Sequence, residues 1–237
     1  MTELRKNVAI LISGRGTNMA RLVEAASDPA YPARVVGVIS DMPEAPGLIF
    51  ARDKGLEAIA IAAGDHSGKQ AHERAINDAL KRMDADIVCL AGYMRLLSAK
   101  FVASWAGRII NIHPSLLPAF KGLDTHRRAL DAGVRVHGCT VHFVTAGTDD
   151  GPIIAQAAVP VLAGDDEAEL AARVLRAEHE LYPLALGLVA EGRAKMAGGR
   201  TVFENLGEGG RDGNARIFSP ASWGEALDLE ALARITP

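Results

Sequence analysis

The residue types best suited to chemistry are concentrated where an apolar run ends in a short polar motif. Residues 109–113 read Ile-Ile-Asn-Ile-His, and two prolines and a glycine follow by residue 122. In an extended strand, residues two apart point to the same side, so Asn111 and His113 would project together from the strand's carboxyl end. An amide donor beside an imidazole can stabilise an oxyanion and move a proton. A buried polar pair that merely ends the strand is the alternative interpretation of these two residues.

An acidic turn follows later in the chain, where residues 148–152 read Thr-Asp-Asp-Gly-Pro. Two adjacent acids before Gly-Pro are usually turn chemistry. The functional alternative is that one carboxylate reaches the imidazole of His113, orients the ring and favours its charged form. Separation along the chain does not decide between these interpretations.

A turn of small residues, 13–18, stands between the first predicted strand and the first predicted helix. Such turns let backbone N–H groups approach an anion at a helix N-terminus, which predicts a phosphate site. The turn is an incomplete dinucleotide fingerprint because Met19 stands where the third glycine belongs, although Asp41 follows the second strand as a ribose ligand would. An ordinary glycine turn with Asn18 as the helix N-cap is a third interpretation.

Strand-like and helix-like segments alternate over the first half of the chain. Short apolar runs, typical of strands buried on both faces, are followed by segments with helical periodicity. Strands are predicted at residues 7–12, 35–40, 58–62, 87–91 and 109–112, and helices at 19–26, 47–54, 69–83 and 99–105. This alternation predicts an α/β fold, a doubly wound, mostly parallel twisted sheet with helices on both faces. Such sheets bind ligands at the carboxyl ends of their strands.

The second half has a different pattern. A short helix is predicted at 126–132, two longer strands at 134–143 and 153–161 as a hairpin-like pair added to the sheet, and a long helix at 165–190. Pro183 is expected to kink or break that helix. Glycine-rich residues 198–216 suggest a loose linker, and residues 222–235 could form a terminal helix. The predicted organisation is therefore a catalytic domain over residues 1–196 and an extension over residues 197–237.

Composition limits the class of protein. With 237 residues, 49% of them hydrophobic, the chain can bury a substantial core. Its net charge of −3 makes no electrostatic case for nucleic-acid or anionic-membrane partners, and no apolar stretch approaches about 18 residues. Cys89 and Cys139 lie in apolar runs, as reduced thiols of a cytoplasmic protein do. His137 and His142 are five apart on a probable strand and would chelate poorly, so no metal site is predicted.

Six motifs occur together in the order typical of one family. They read Ile-Ser-Gly-Arg-Gly-Thr-Asn, Leu-Ala-Gly-Tyr-Met-Arg-Leu-Leu, Asn-Ile-His-Pro-Ser-Leu-Leu-Pro, His-Gly-Cys-Thr-Val-His-Phe-Val, Asp-Asp-Gly-Pro-Ile-Ile and Glu-His-Glu-Leu-Tyr-Pro. On these motifs, residues 7–196 resemble the phosphoribosylglycinamide formyltransferases, the folate-dependent enzymes of purine synthesis. The family is expected to have the α/β fold predicted above.

The resemblance implies a role for particular residues. Asn111, His113 and Asp149 match the family's catalytic set, and Asp150 replaces the first glycine of the family's Asp-Gly-Gly-Pro. The residues implied to bind the substrate's phosphate and nucleotide are Gly16, Thr17, Asn18 and Glu178. The residues implied to bind folate are Lys69, Met94, Arg95, Leu96, Leu97 and Asn111.

The chain departs from the family pattern at two positions. Asp124 stands where some members have histidine, and Leu175 stands where some members have a polar phosphate contact. Phosphate affinity would then depend more on the first turn, or on Arg173 or Arg176.

The resemblance also implies a reaction. The formyl group of the cosubstrate 10-formyltetrahydrofolate would pass directly to the amine of glycinamide ribonucleotide through a tetrahedral intermediate. Neither a metal nor a covalent enzyme intermediate is required. The expected protein is a cytoplasmic monomer or homodimer whose partners are these small molecules, without nucleic acid or membrane.

Four other functions each have a sequence feature that speaks against them. Enzymes that formylate initiator methionyl-tRNA use a similar Ser-Leu-Leu-Pro segment but carry a larger C-terminal RNA-binding domain, whereas the tail here is short, glycine-rich and not basic enough. A formyltetrahydrofolate deformylase would carry an N-terminal regulatory domain, whereas the first strand here begins at residue 7. The missing third glycine speaks against a dinucleotide-dependent oxidoreductase. The joint presence of Asn111, His113 and Asp149 speaks against a non-catalytic nucleotide-binding module.

Overall fold

A computed structural model describes residues 5–204 of the chain, so the predicted terminal helix at 222–235 lies outside the described residues. One large sheet consists of β1 (Lys6–Ile12), β2 (Ala33–Ser40), β3 (Ala58–Ala60), β4 (Ile87–Leu90), β5 (Ile109–His113), β6 (Val136–Phe143) and β7 (Ile153–Pro160). The helices are α1 (Thr17–Ser27), α2 (Pro46–Asp53), α3 (Lys69–Arg82), α4 (Ala99–Ser104), α5 (Thr125–Asp131) and α6 (Glu167–Ala190).

The strand order across the sheet is β3-β2-β1-β4-β5-β6-β7. Strands β1 to β5 run parallel to one another, while β6 is antiparallel to β5 and β7 is antiparallel to β6. The predicted doubly wound, mostly parallel sheet with an added hairpin pair is therefore confirmed. The chain winds outward from β1 to β3 and then returns to β4, so a crevice opens beyond the carboxyl ends of β1 and β4.

Apolar side chains of the central strands point to both faces of the sheet, so helices cover both faces. In β1, Val8, Ile10 and Ile12 belong to a core that includes residues of α1 and α6. Ala9 and Leu11 belong to a second core with residues of α3 and α4. This two-sided burial holds the central strands rigidly and leaves their carboxyl ends as the place where loops assemble a site.

Helix α6 runs from Glu167 to Ala190 without interruption, so the predicted break at Pro183 is wrong. Its start is closed by a capping box in which Asp166 and Glu169 bind each other's backbone N–H groups. Proline removes one N–H donor, but the flanking turns are packed against the core, and Tyr182 is fully buried. The carbonyl of Pro183 accepts a hydrogen bond from the Tyr31 hydroxyl at 2.6 Å.

A small hairpin follows α6, formed by β8 (Ala194–Ala197) and β9 (Arg200–Phe203). Gly198 and Gly199 have φ values of 57° and 74°, which a tight two-residue hairpin turn requires. Residues 200–203 are thus a strand where a loose linker was predicted, and the predicted boundary between residues 196 and 197 passes through this hairpin. No helix of the described part of the chain is long and apolar enough to cross a membrane.

Candidate active site

The polar end of β5 is paired with β6 in a register that brings several functional side chains together. Asn111 lies opposite His142, and His113 lies opposite Thr140. His113 and His142 are buried, with 5% and 2% of their surfaces exposed. Residues of β5 belong to the cores on both faces of the sheet, so the strand that carries these polar groups is firmly held.

Asp149 comes from the acidic turn between β6 and β7 and lies beside His113. Its Oδ2 is 3.3 Å from His113 Nδ1 and accepts a hydrogen bond of 2.9 Å from the backbone N–H of Gly122. Its backbone φ of 47° is in the left-handed region, which turns the carboxylate toward the sheet. The structure thus brings together the three residues of the predicted catalytic set.

The neighbouring Asp150 points the other way. Its carboxylate forms an ion pair with the Nζ of Lys121 near the surface. The hydrogen bond from Lys121 lowers the pKa of Asp150 below its usual value. The two adjacent acids therefore have different partners, and only Asp149 contacts a catalytic candidate.

Both ring nitrogens of His113 face acceptors. Nδ1 lies near Asp149, and Nε2 is 3.0 Å from the carbonyl oxygen of Phe120. This is the arrangement that a doubly protonated imidazole uses, because each nitrogen then donates one hydrogen. A charged ring of this kind can donate to an oxyanion once one of its two present acceptors is exchanged.

His142 is a site residue that the sequence interpretation missed. Its Nε2 is 3.1 Å from Asn111 Nδ2, and its Nδ1 is 2.9 Å from the carbonyl of Phe143. Burial lowers the pKa of His142, and the Phe143 carbonyl only partly opposes this effect. Sequence spacing argues only against His142 as a metal ligand. Its place in the site follows from the strand register, which puts position 142 opposite position 111.

The turn after β1 forms the first cavity, of about 240 Å³. Gly16 precedes α1 as its N-cap with a φ of 71°, so the interpretation of Asn18 as the N-cap is wrong. The cavity is lined by Ser13, Gly14, Arg15, Gly16, Thr17, Asn18, Ala91, Gly92 and Met94. Its place at the helix N-terminus and between β1 and β4 suits a bound anion.

Glu178 belongs to α6, which packs beside α1 on the same face of the sheet, and its side chain reaches this turn. Its Oε2 accepts a hydrogen bond of 2.7 Å from Asn18 Nδ2, and burial raises the pKa of Glu178, which the hydrogen bond partly offsets. Arg173, in contrast, is occupied by Asp165, with oxygen–nitrogen distances of 2.7 and 2.8 Å. Of the two arginines considered as substitutes for a phosphate contact, Arg173 is therefore already paired.

A second cavity, of about 320 Å³, is lined in part by Asn111. Its lining includes five of the six residues implied to bind folate, together with His142 and Asp149. These five are Lys69, Arg95, Leu96, Leu97 and Asn111. The sixth, Met94, lines the first cavity instead and is 70% exposed. The loop after β4 lines both cavities, with Gly92 and Met94 in the first and Tyr93 and Arg95 in the second. The two cavities are therefore neighbours, as two substrates that react with each other require.

Within residues 5–204, no group of three or more histidine, cysteine, aspartate or glutamate side chains is arranged to hold a metal ion. Cys89 and Cys139 are both buried and free, and burial raises the pKa of each thiol to about 12. Thiols held in this way are poor nucleophiles. The groups that the site presents for chemistry are amide, imidazole and carboxylate groups.

Comparison with known protein families gives a consistent result. A family model described as formyl transferase matches residues 6–186. The phosphoribosylglycinamide formyltransferase of Escherichia coli K12 is 44% identical over 190 residues, which cover 80% of this chain and 90% of that protein. The trifunctional purine biosynthetic protein adenosine-3 of Drosophila melanogaster is 45% identical over 199 residues, but the chain spans only 15% of its length.

Solved structures agree with these relatives. A glycinamide ribonucleotide transformylase from Symbiobacterium toebii has a TM-score of 0.82 and 47% identity, with 84% of this chain and 94% of that chain covered. The phosphoribosylglycinamide formyltransferase of Brucella melitensis is 57% identical, with a TM-score of 0.77 and coverage of 79% and 96%. A formyltetrahydrofolate deformylase from Pseudomonas syringae is only 25% identical, with 85% of this chain and 66% of that chain covered and a TM-score of 0.79. The chain belongs to the formyl transferase family and, within it, to the phosphoribosylglycinamide formyltransferases.

Proposed function

We propose that the protein transfers the formyl group of 10-formyltetrahydrofolate to the amine of glycinamide ribonucleotide. The products are formylglycinamide ribonucleotide and tetrahydrofolate, in the biosynthesis of purines. The observation that carries the proposal is the grouping of Asn111, His113 and Asp149 at the second cavity, which shares the loop after β4 with the first cavity. The extensive similarity to the Escherichia coli enzyme, 44% over 90% of its length, supports the choice of substrates.

The first cavity suits the nucleotide. The backbone N–H groups of Gly16, Thr17 and Asn18 lie at the N-terminal end of α1, where the helix dipole favours a phosphate. Glu178, tied to Asn18, would contact the neutral part of the nucleotide and keep its amine toward Asn111. The second cavity, with Leu96 and Leu97 on its wall and charged groups at its mouth, suits a folate ring and its acidic tail.

The proposed reaction begins when the neutral amine attacks the formyl carbon, forming a new C–N bond and turning the formyl oxygen into an oxyanion. The Asn111 amide and the protonated ring of His113 stabilise this charge. To donate to the oxyanion, His113 Nε2 gives up its contact with the carbonyl oxygen of Phe120 and binds the formyl oxygen instead. Asp149, whose Oδ2 is 3.3 Å from His113 Nδ1, orients the imidazole for this role.

The intermediate collapses when the bond between the formyl carbon and N10 breaks. The proton lost by the attacking nitrogen passes to N10, directly or through one water molecule, so that neutral tetrahydrofolate leaves. The transfer uses no metal ion and forms no covalent bond to the protein. We further infer a cytoplasmic location from the two unpaired, reduced cysteines and the small-molecule substrates.

The test follows the absorbance of 10-formyltetrahydrofolate after addition of purified protein, with and without glycinamide ribonucleotide. Turnover of folate that requires the nucleotide, in a one-to-one ratio with formylated product, is the expected result. Turnover without the nucleotide would replace the proposal with a deformylase. No turnover under either condition would refute both enzymatic functions.

A further inference from the structure

His142 connects a backbone carbonyl to the amide of Asn111. One ring nitrogen, Nδ1, is 2.9 Å from the carbonyl oxygen of Phe143, and the other, Nε2, is 3.1 Å from Asn111 Nδ2. The ring is only 2% exposed, so water does not compete for either nitrogen. The three groups form one continuous hydrogen-bonded chain that ends in the second cavity.

The carbonyl of Phe143 determines which ring nitrogen carries the hydrogen. A carbonyl oxygen only accepts, so Nδ1 must be protonated to bind it. Burial of His142 lowers its pKa and favours the neutral ring, in which the other nitrogen keeps its lone pair. Nε2 is therefore an acceptor, and the group it faces on Asn111 must be a donor.

This requirement orients the side-chain amide of Asn111. With Nδ2 toward His142, one amide hydrogen is bound by Nε2, and the second remains available to a ligand in the cavity. With the amide reversed, Oδ1 would face the lone pair of Nε2, and two acceptors would be buried against each other. Asn111 and His142 line the same cavity, so the free hydrogen is presented where a formyl group would react.

We propose that His142 is a positioning residue that holds Asn111 as a hydrogen-bond donor to the oxyanion. This role rests on the proposed formyl transfer and adds a residue to its machinery. His142 does not touch the formyl group in this scheme; it acts through the amide of Asn111. Asp149, whose Oδ1 is 3.8 Å from His142 Nε2, stands next to this contact but outside hydrogen-bonding distance.

The first test is spectroscopic and needs no substrate. The full chain is produced with nitrogen-15 histidine, and the resonances of His142 are assigned by their loss in His142→Gln. The expected signature is a neutral ring with hydrogen on Nδ1 and an unprotonated Nε2 at pH 7.5. A ring with its hydrogen on Nε2, or a doubly protonated ring, would overturn the proposal.

The second test is kinetic. His142→Leu fills the space without an acceptor, whereas His142→Gln places an amide oxygen near the former position of Nε2. Loss of a preorganised oxyanion donor costs about 100-fold in turnover, so we expect kcat to fall about 10- to 100-fold in His142→Leu. We expect KM for both substrates to change less than about threefold, because the role is confined to the transition state. His142→Gln should recover at least half of the lost activity on a logarithmic scale.

A double-mutant cycle separates this role from general support of the fold. If His142 acts through Asn111, adding His142→Leu to Asn111→Ala should lower kcat by less than about twofold further. Full additivity of the two losses would overturn the proposal, and so would wild-type turnover in His142→Leu. If His142→Leu fails to fold, the same cycle with His142→Ala, which also removes the acceptor, answers the question.

The same measurements distinguish failure of this role from failure of the proposed function. A wild-type protein that does not turn over its two substrates would overturn the formyl transfer and this role with it. A wild-type protein that is active beside an equally active His142→Leu variant would overturn only the role of His142.

Discussion

At the scale of single residues, two adjacent carboxylates have been given different environments. Asp149 adopts a left-handed backbone conformation and faces His113, while Asp150 faces Lys121 at the surface. The ion pair of Asp150 is exposed, and exposed pairs contribute little because water screens them. Asp149 is 15% exposed in its side chain and has two partners inside the site, His113 and the N–H of Gly122.

This contrast makes the two acids a matched pair of variants. We expect Asp149→Asn to lower kcat by about 100-fold or more, because the amide does not stabilise the charged imidazole of His113. Asp150→Asn should change kcat by less than about threefold, since it removes only a surface ion pair. Steady-state kinetics with both substrates measure the difference. Equal losses in the two variants would contradict the assignment of Asp149.

The imidazole itself gives a second prediction at this scale. His113→Ala removes a charged donor from the oxyanion, so we expect kcat to fall by roughly 100- to 1,000-fold. The proposed nucleotide site is the first cavity, whose lining does not include His113, so the Kd of the nucleotide, measured by calorimetry, should remain within about twofold. A variant that retains near wild-type turnover would refute the role of His113.

At the scale of elements, the loops after β1, β2 and β4 are joined through one hydroxyl. Ser13 Oγ donates to Asp41 Oδ1 at 2.6 Å and accepts from the backbone N–H of Met94 at 2.9 Å. Met94 lines the first cavity, whereas the next residue, Arg95, lines the second and has its Nη1 4.0 Å from Asp41 Oδ2. Ser13 therefore holds the boundary between the two proposed substrate sites.

Ser13→Ala should loosen both loops at once. Loss of a buried hydrogen bond costs about 1 kcal/mol, so we expect KM for each substrate to rise about three- to tenfold with a smaller change in kcat. Ser27→Ala is the control, because its exposed hydroxyl at the end of α1 donates only to the carbonyl of Glu24. Kinetics that are the same for both variants would show that the contact does not shape the sites.

The predicted elements agree with the structure where local patterns dominate and differ where packing decides. The buried run of β1 and the amphipathic α3 were predicted within one residue at each end. Pro183 was expected to disturb α6, but the packed face around it keeps the helix continuous. The glycines before Arg200 suggested a linker, whereas their positive φ values form the turn of a hairpin.

At the scale of the whole molecule, burial of histidines couples stability to pH. His137 is 1% exposed, packs edge-on against Phe120 and His126, and burial lowers its pKa to about 4. The unfolded chain, with an ordinary histidine pKa near 6.5, binds more protons than the folded chain in this range.

Stability should therefore be complete above about pH 6.5 and fall as the pH drops toward 4, by at most about 3 kcal/mol from His137. His137→Leu removes this titration, so its free energy of unfolding should lose less between pH 7.5 and pH 5 than that of the wild type. Urea unfolding at the two pH values measures the difference. An identical loss in both proteins would show that His137 does not carry the effect.

The order of strands also belongs to this scale. The sequence predicted an alternating α/β pattern, but the return of the chain to place β4 beside β1 is a property of the assembled sheet. That return opens the crevice in which the turn after β1 forms its cavity. The predicted domain over residues 1–196 and extension over 197–237 stay predictions for the part beyond residue 204.

The sequence by itself determined what depends on neighbouring residues. A strand has a period of two, so Asn111 and His113 were predicted on one side of it, and small residues before a helix predicted the anion turn. The resemblance named Asp149, but the contact of Asp149 with His113, and the position of His142 opposite Asn111, were decided by the tertiary structure. These contacts join positions more than 30 residues apart, and they depend on strand register and turn conformation that local periodicity does not encode.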